Sequence, residues 1–316
     1  RKGECIGMGR HILKRFVFML VSMWVIVTAC FILMNAVPGS PFTTAKMTPL
    51  VRKQLEQKYG LDKPLWQQYV TLLKNLLRGD LGISIRERGR SVNGIIASRF
   101  PVSLVLGTEA LAFAVTTGLA LGVIASLYRG KTLDYIAIII AILGVSVPNF
   151  VVASVLQYVL GAKLKLLPIA RWESPAHHIL PAFALGLTTL ATMARMMRSS
   201  MLEVINQDYV RTAKAKGLTP TQITWRHCIR NAILPVVTIL GPLIAGITTG
   251  TLVVERMFGI PGLGRYFVDS IYNRDYPLIM GTTVFYSAIL LLMTFLVDVA
   301  YGFIDPRIRL AKGRAD

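Results

Sequence analysis

Residues 16–37 read FVFMLVSMWVIVTACFILMNAV, without one Asp, Glu, Lys or Arg, and Pro38-Gly39 closes the run. An α-helix rises 1.5 Å per residue, so about 20 apolar residues cross a hydrocarbon core of roughly 30 Å. The run is long enough to span a bilayer, and with no small-residue cleavage site it reads as a permanent span and not as a removable signal. Five more stretches have the same character: Val102 to Tyr128, Tyr135 to Leu160, Ile179 to Ala194, Ala232 to Val254 and Tyr276 to Val297. The stretch from Ile179 is short, but its helical pattern continues past Arg195 and Arg198. The predicted fold is all-α, a polytopic bundle of about six transmembrane helices spanning 10–316, after an N-terminal tail at 1–9.

Composition points the same way. Of 316 residues, 53% are hydrophobic and 16% charged, against about 25% charged in soluble domains. Lys plus Arg number 35 and Asp plus Glu 16, for a net charge of +19. A basic balance fits nucleic acid, anionic membrane lipid or cytoplasmic membrane flanks. These charges lie between long uncharged runs and build no basic, aromatic surface, which argues against nucleic acid. Cys5, Cys30 and Cys228 are far apart and odd in number, so they read as three unpaired thiols without metal-ligand spacing.

Charge also orients the spans. Arg10, Lys14 and Arg15, then Arg129 and Lys131, then Arg195, Arg198, Arg211, Lys214, Lys216, Arg226 and Arg230, then Arg307, Arg309, Lys312 and Arg314 fall on one face of a six-crossing topology. By the positive-inside rule that face is cytoplasmic, with both termini. The long loop 38–101 is basic yet faces outward; segments beyond about 60 residues translocate largely regardless of charge. Within it Leu50 to Tyr59 and Pro64 to Leu77 have helical character, with Leu65, Tyr69, Leu72, Leu73, Leu76 and Leu77 at amphipathic spacing. A small helical extracytoplasmic insert outside the membrane is expected there.

The segment 195–231 carries the pattern with most functional content. From Asp208 to Lys216 a short helix places Tyr209, Val210 and Ala213 on one face and Arg211 and Lys214 on another. Gly217 ends it in a left-handed conformation. Thr219 is an N-cap, Pro220 a first-turn proline, and Gln222 completes a capping box. The small side chains Ala213 and Ala215 suit close approach of a partner. Spacing alone leaves two readings open: a docking element, or an interfacial helix held by anionic headgroups.

Arg211-Thr212-Ala213-(x)3-Gly217 followed by His227 resembles the EAA loop of the inner-membrane permeases of ATP-binding-cassette importers. Seven strings, at 35–42 (NAVPGSPF), 59–64 (YGLDKP), 79–84 (GDLGIS), 211–217 (RTAKAKG), 255–264 (ERMFGIPGLG), 273–277 (NRDYP) and 304–307 (IDPR), resemble the dipeptide/oligopeptide/nickel branch in family order. The long first loop is similar to that of the branch's B-type subunit. Arg211 stands where the general motif has Glu, and His227-Cys228-Ile229-Arg230 replaces its usual ending, as in the peptide variant. The resemblance implies that 195–231 is a coupling loop whose residues Tyr209, Arg211, Thr212, Ala213, Ala215 and Gly217 meet an ATPase subunit. It further implies a second permease subunit, two ATP-binding-cassette ATPase subunits, an extracytoplasmic substrate-binding protein and a peptide substrate. ATP and Mg would be held by the ATPases, with no cofactor or metal in this chain, which would be a non-catalytic multi-pass subunit of a bacterial plasma (inner) membrane.

Other residues suggest chemistry less well. Gly130-Lys131-Thr132 ends like a phosphate-binding loop, but Ala125 stands where the earlier glycine belongs and the segment closes a membrane helix. Glu109 lies about eight residues, roughly 12 Å, beyond Pro101. A structural hydrogen bond is the expectation, since no second mid-helix carboxylate or histidine is seen to form a relay with it; a proton-coupled secondary transporter would need one. Asp298 is read as an interfacial or helix-pairing residue. His177 and His178 adjoin without metal geometry, and Ser199 and Ser200 lack His and Asp partners for nucleophilic catalysis. Gly144, Pro148, Pro181, Gly186, Pro235, Gly241, Pro242, Gly246 and Gly250 are either close-packing sites or joints.

Overall fold

The structure, a computed structural model, describes residues 2–36, 53–54, 57, 60–87, 89–249 and 251–304. The side chains of His11 and Asp298, most of the Leu50 to Tyr59 segment, and the strings beyond Ala36 and Ile304 lie outside the described residues. The fold is all-helical: α1 Lys2–Ala36, α2 Leu65–Leu77, α3 Val92–Leu127, α4 Thr132–Ser146, α5 Asn149–Leu156, α6 Ala176–Ile205, α7 Asp208–Ala215, α8 Pro220–Ile223, α9 Arg230–Thr249, α10 Thr251–Phe258, α11 Leu263–Asn273 and α12 Tyr276–Ile304. Residues 1–9, read as a tail, are helical from Lys2.

Among the described residues, four helical segments have the length and hydropathy to cross a membrane: Ile12–Ala36, Val92–Leu127, Ala176–Ile205 and Tyr276–Leu296. A fifth candidate is a bent pair, Thr132–Ser146 with Asn149–Lys163, broken by 108°. The stretch expected to run straight from Tyr135 to Leu160 is thus two helices. Proline 148 has no N–H to donate and pushes its predecessor out of the helical region; Val147 is extended, at φ −94° and ψ 122°. α5 then widens into a π-helical segment, Gln157–Lys163. The short stretch at Ile179 does continue past Arg195 and Arg198, to Ile205. The stretch from Ala232 to Val254 is shared by α9 and α10.

The chain divides into two compact units. One comprises residues 1–101 and 262–292, and its buried core is Val92, Ile95, Ile96, Leu263, Leu278 and Tyr286. Its organising group is Asp275, fully buried, whose carboxylate accepts from the Ser84 hydroxyl and from the amides of Ile85 and Arg86, both at 3.1 Å, and Leu278 at 3.3 Å. One carboxylate thereby caps the start of α12 and holds the segment after Gly79-Asp80, joining two motif strings that are distant in sequence. A buried carboxylate is tolerated only with several donors, which these amides provide.

The second unit comprises residues 102–261 and 293–316. Here α6 is the central post, with α4, α5, α9 and α10 packed on it. Lipid supplies no hydrophobic drive between helices, so small residues that allow close backbone approach take over. A Cβ on Gly186 would stand 2.7 Å from the Ala110 carbonyl oxygen, and one on Gly144 would stand 2.8 Å from the Ala191 Cβ. Those two glycines are close-packing sites, whereas Pro148 is a joint. At one end of α6 a core of Leu106, Leu180, Leu185, Ile247, Phe258 and Ile260 forms; at the other, Met193, Met197 and Met201 meet the segment that follows α6.

Candidate coupling loop

The segment between α6 and α9 is a helix, a tight turn and a second helix. Its local chemistry follows the sequence. α7 ends in a Schellman motif, with the Leu218 amide donating to the Ala213 carbonyl at 3.3 Å and the Gly217 amide to the Lys214 carbonyl at 3.0 Å. Gly217 has φ +77°, the left-handed conformation this motif requires. The Thr219 hydroxyl then accepts from the Gln222 amide at 3.4 Å, and the Gln222 side chain accepts from the Thr219 amide at 3.0 Å, completing the capping box around Pro220.

Packing divides the predicted residues into two groups. Val210 (1% exposed), Ala213 (5%), Ile223 and Cys228 are buried against Met193, Met197, Met201, Ala232 and Val236 of the same chain. Burying Val210 and Ile223 contributes about 1.5–3 kcal/mol each, so the element is fastened to the end of α6. Ala213 faces inward: its small side chain permits close approach of its own chain, not of a partner as the spacing suggested. Tyr209 was placed on the same face as Val210 and Ala213 but is 41% exposed; its hydroxyl accepts from the Asn231 side chain at 3.0 Å. A helix turns by about 100° per residue, so adjacent Tyr209 and Val210 cannot both point into one narrow core. Arg211, Thr212, Lys214, Ala215, Lys216 and Gly217 are exposed. Arg211 pairs loosely with Asp208 at 3.6 Å, and the Thr212 hydroxyl donates to the Asp208 carbonyl at 3.0 Å. The outward surface is therefore a basic ridge with Tyr209 at one edge. Burial pushes the Cys228 thiol above its usual pKa, and the Lys214 ammonium offsets part of that rise.

Three polar contacts were not foreseen. Arg198 grips Asp134 through two bonds, Nε to Oδ1 at 2.6 Å and Nη2 to Oδ2 at 2.8 Å, tying α6 to the start of α4. Asp134 also accepts from the Gly130 amide at 3.0 Å, so the Gly-Lys-Thr string serves as a helix connector held by its own chain. Glu109 forms the structural hydrogen bond expected of it, and its partner is a histidine at the start of α6: Oε1 lies 3.0 Å from His178 Nδ1. Trp172 stacks on that imidazole with centroids 3.6 Å apart. The signals were a lone carboxylate in an apolar run and a histidine pair at a loop end; nothing local linked them across the intervening residues. Third, the Ser103 hydroxyl donates to the fully buried Glu255 at 2.6 Å, giving the first residue of the 255–264 string a structural role.

The structure is thus an all-helical polytopic bundle that fastens a capped, basic helical turn to the end of its central helix, the architecture of a multi-pass membrane subunit. Residues 118–310 match the family described as binding-protein-dependent transport system inner membrane component, and residues 8–107 match its N-terminal counterpart. The dipeptide transport system permease protein DppB of Bacillus subtilis (strain 168) is 52% identical over 306 residues, covering 96% of this chain and 99% of the relative. The oligopeptide transport system permease protein OppB of Haemophilus influenzae is 42% identical over 303 residues, covering 95% and 99%. In fold, a crystal structure of an amino acid ABC transporter with histidines superposes with a TM-score of 0.53 at 17% identity, covering 66% of this chain and 94% of that one. The inward-facing MetNI methionine ABC transporter gives 0.50 at 18% identity, covering 69% and 95%. The chain belongs to the family of binding-protein-dependent transport system inner membrane components. It is a multi-pass inner-membrane permease subunit and not itself a catalyst.

Proposed function

We propose that this chain forms half of the translocation pathway of a peptide importer, with a second permease subunit, two ATP-binding-cassette ATPase subunits holding ATP and Mg, and an extracytoplasmic protein that delivers the peptide. The observation that carries the substrate class is identity with dipeptide and oligopeptide permeases along nearly the whole chain. The coupling role is supported by the loop geometry. In our reading residues 195–231 face the cytoplasm, both termini lie on that side and 38–101 face outward. Tyr209, Arg211, Thr212, Ala215 and Gly217 present the ATPase-docking surface, and Ala213 anchors that surface from beneath. Movement of the ATPases on binding ATP would be carried through Val210, Ala213 and Ile223 into Met197 and Met201 of α6, because close-packed side chains transmit displacement.

The test is reconstitution of the purified complex in vesicles, with uptake of labelled di- and oligopeptides measured after adding binding protein and ATP. Uptake that needs both ATP and binding protein, and that persists when an ionophore collapses ion gradients, is the expected result. Uptake abolished by ionophore while ATP remains high would overturn the reading in favour of a proton-coupled secondary transporter.

A further inference from the structure

The helix expected to cap the protein outside the membrane is joined to α1 well inside the end of its span. The Tyr69 hydroxyl of α2 shares a hydrogen bond of 2.7 Å with the Thr28 hydroxyl, and the Tyr69 ring packs on Phe31 with centroids 5.3 Å apart. The apolar stretch of α1 that is long enough to span a membrane is described to Ala36, and Pro38-Gly39 follows it in the sequence. Thr28 lies eight residues before Ala36, about 12 Å along the axis at 1.5 Å per residue. The span crosses a core of roughly 30 Å, so a side chain reaching Thr28 enters from a helix lying at the level of the acyl chains and headgroups, not above them.

The outward surface of α2 fits such a position. Trp66 is 66% exposed and Leu77 89%, and Val70 is exposed as well; with Leu73 they occur at i, i+4, i+7 and i+11, one stripe of a helix. Exposed Lys74 and Arg78 stand beside that stripe, on the flank away from Tyr69. The Trp, apolar and cationic composition is that of a helix lying in a membrane interface. Between α1 and α2 runs a groove of about 480 Å³ lined by Phe31, Ile32, Leu65, Trp66 and Tyr69 with few polar groups. It is continuous with the exposed apolar side of α1 that carries Ile32 and Leu33.

We propose that α2 is an interfacial membrane helix: its Trp66, Val70, Leu73 and Leu77 stripe is buried in the leaflet at the Ala36 end of α1 with Lys74 and Arg78 reaching the headgroups on its far flank, and the groove beside Tyr69 holds a phospholipid acyl chain. Placing that leaflet on the outer side rests on the topology proposed above, whereas the embedding does not. The physical consequence is that the insert beginning after α1 is moored to the bilayer surface and positioned by it.

The test places an environment-sensitive nitrobenzoxadiazole label at Val70→Cys or at Thr71→Cys, in an otherwise cysteine-free chain within the purified complex, reconstituted in right-side-out vesicles. The expected result is blue-shifted emission at position 70 that is quenched by doxyl-labelled phospholipid and insensitive to iodide, with the reverse at 71. Leu77→Cys gives the same readout if Val70→Cys assembles poorly, because Leu77 has almost no packing to lose. Equal iodide quenching at positions 70 and 71 would overturn the proposal, and so would a position 70 shielded from both quenchers, which marks a protein partner on the stripe. Lipid quenching at 70 with iodide reaching 71 only from inside the vesicles would remove the outward topology while leaving the embedding in place.

Discussion

Gly217 offers a substitution whose cost is almost purely one of backbone geometry. Its φ is +77°, and a Cβ built there meets nothing within 4 Å, so the space beside the backbone is open. The cost is that of a β-branched residue in the left-handed region, about 1–2 kcal/mol or more. That amounts to roughly a 5- to 30-fold shift away from the native turn, since about 1.4 kcal/mol is tenfold in an equilibrium. Relaxing the strain releases the Leu218 and Gly217 amide bonds to α7. It does not release the element, because Val210 and Ile223 contribute about 1.5–3 kcal/mol each from buried positions on either side of the turn. Gly217→Val is therefore expected to insert and assemble normally while reorienting the two short helices, lowering peptide uptake and detaching ATP hydrolysis from binding-protein stimulation. Gly217→Asn, which tolerates the left-handed region, should remain close to wild type. Binding-protein-stimulated ATPase activity and uptake are measured in reconstituted vesicles, with subunit content checked by gel. Normal stimulation and uptake in the valine complex would refute the mechanical role of this turn, and an equal loss in the asparagine complex would show that side-chain bulk matters instead of φ.

Two further outcomes follow from burial. Arg198→Met leaves Asp134, 2% exposed, without its bidentate partner, a change that typically costs about 3–5 kcal/mol; adding Asp134→Asn should recover much of the loss. Thermal unfolding of the detergent-solubilised complex measures both, and an unchanged midpoint for Arg198→Met would show that the pair carries no stability. Native Cys228 should react slowly with an impermeant maleimide at neutral pH, being buried and raised in pKa, whereas Lys214→Cys in a background lacking the native thiols should react quickly. Because the folded thiol titrates above its unfolded value, the stability Cys228 contributes is present below the unfolded pKa and is lost as pH rises through the folded one. The same labelling settles sidedness. Lys74→Cys should react from outside intact cells and Lys214→Cys only after the membrane is opened; labelling of position 214 from outside would reverse the topology.

Much of the chain was legible because its decisive signals are local. A span is an uninterrupted apolar run about as long as a bilayer is thick, and residues 16–37 show one without reference to anything else. The turn after α7 was legible for the same reason: Gly217, Thr219, Pro220 and Gln222 satisfy neighbouring backbone groups within a few residues of one another. Tertiary structure decided the rest. Pro148 announced either a packing site or a joint, and only the helices packed on either side of it convert its missing donor into a bend of 108°. Asp275 meets Ser84, and Glu109 meets His178, across separations over which the sequence carries no register. Ala213 has the size for close approach in either direction, and whether it faces its own methionines or a partner depends on where the end of α6 lies. The amphipathic pattern of α2 announced a helix with an apolar face, while the hydroxyl pair that lays it against α1, Tyr69 with Thr28, came only from the fold. Helical periodicity tells which side chains share a face; only the long-range contact tells whether that face meets water, protein or lipid.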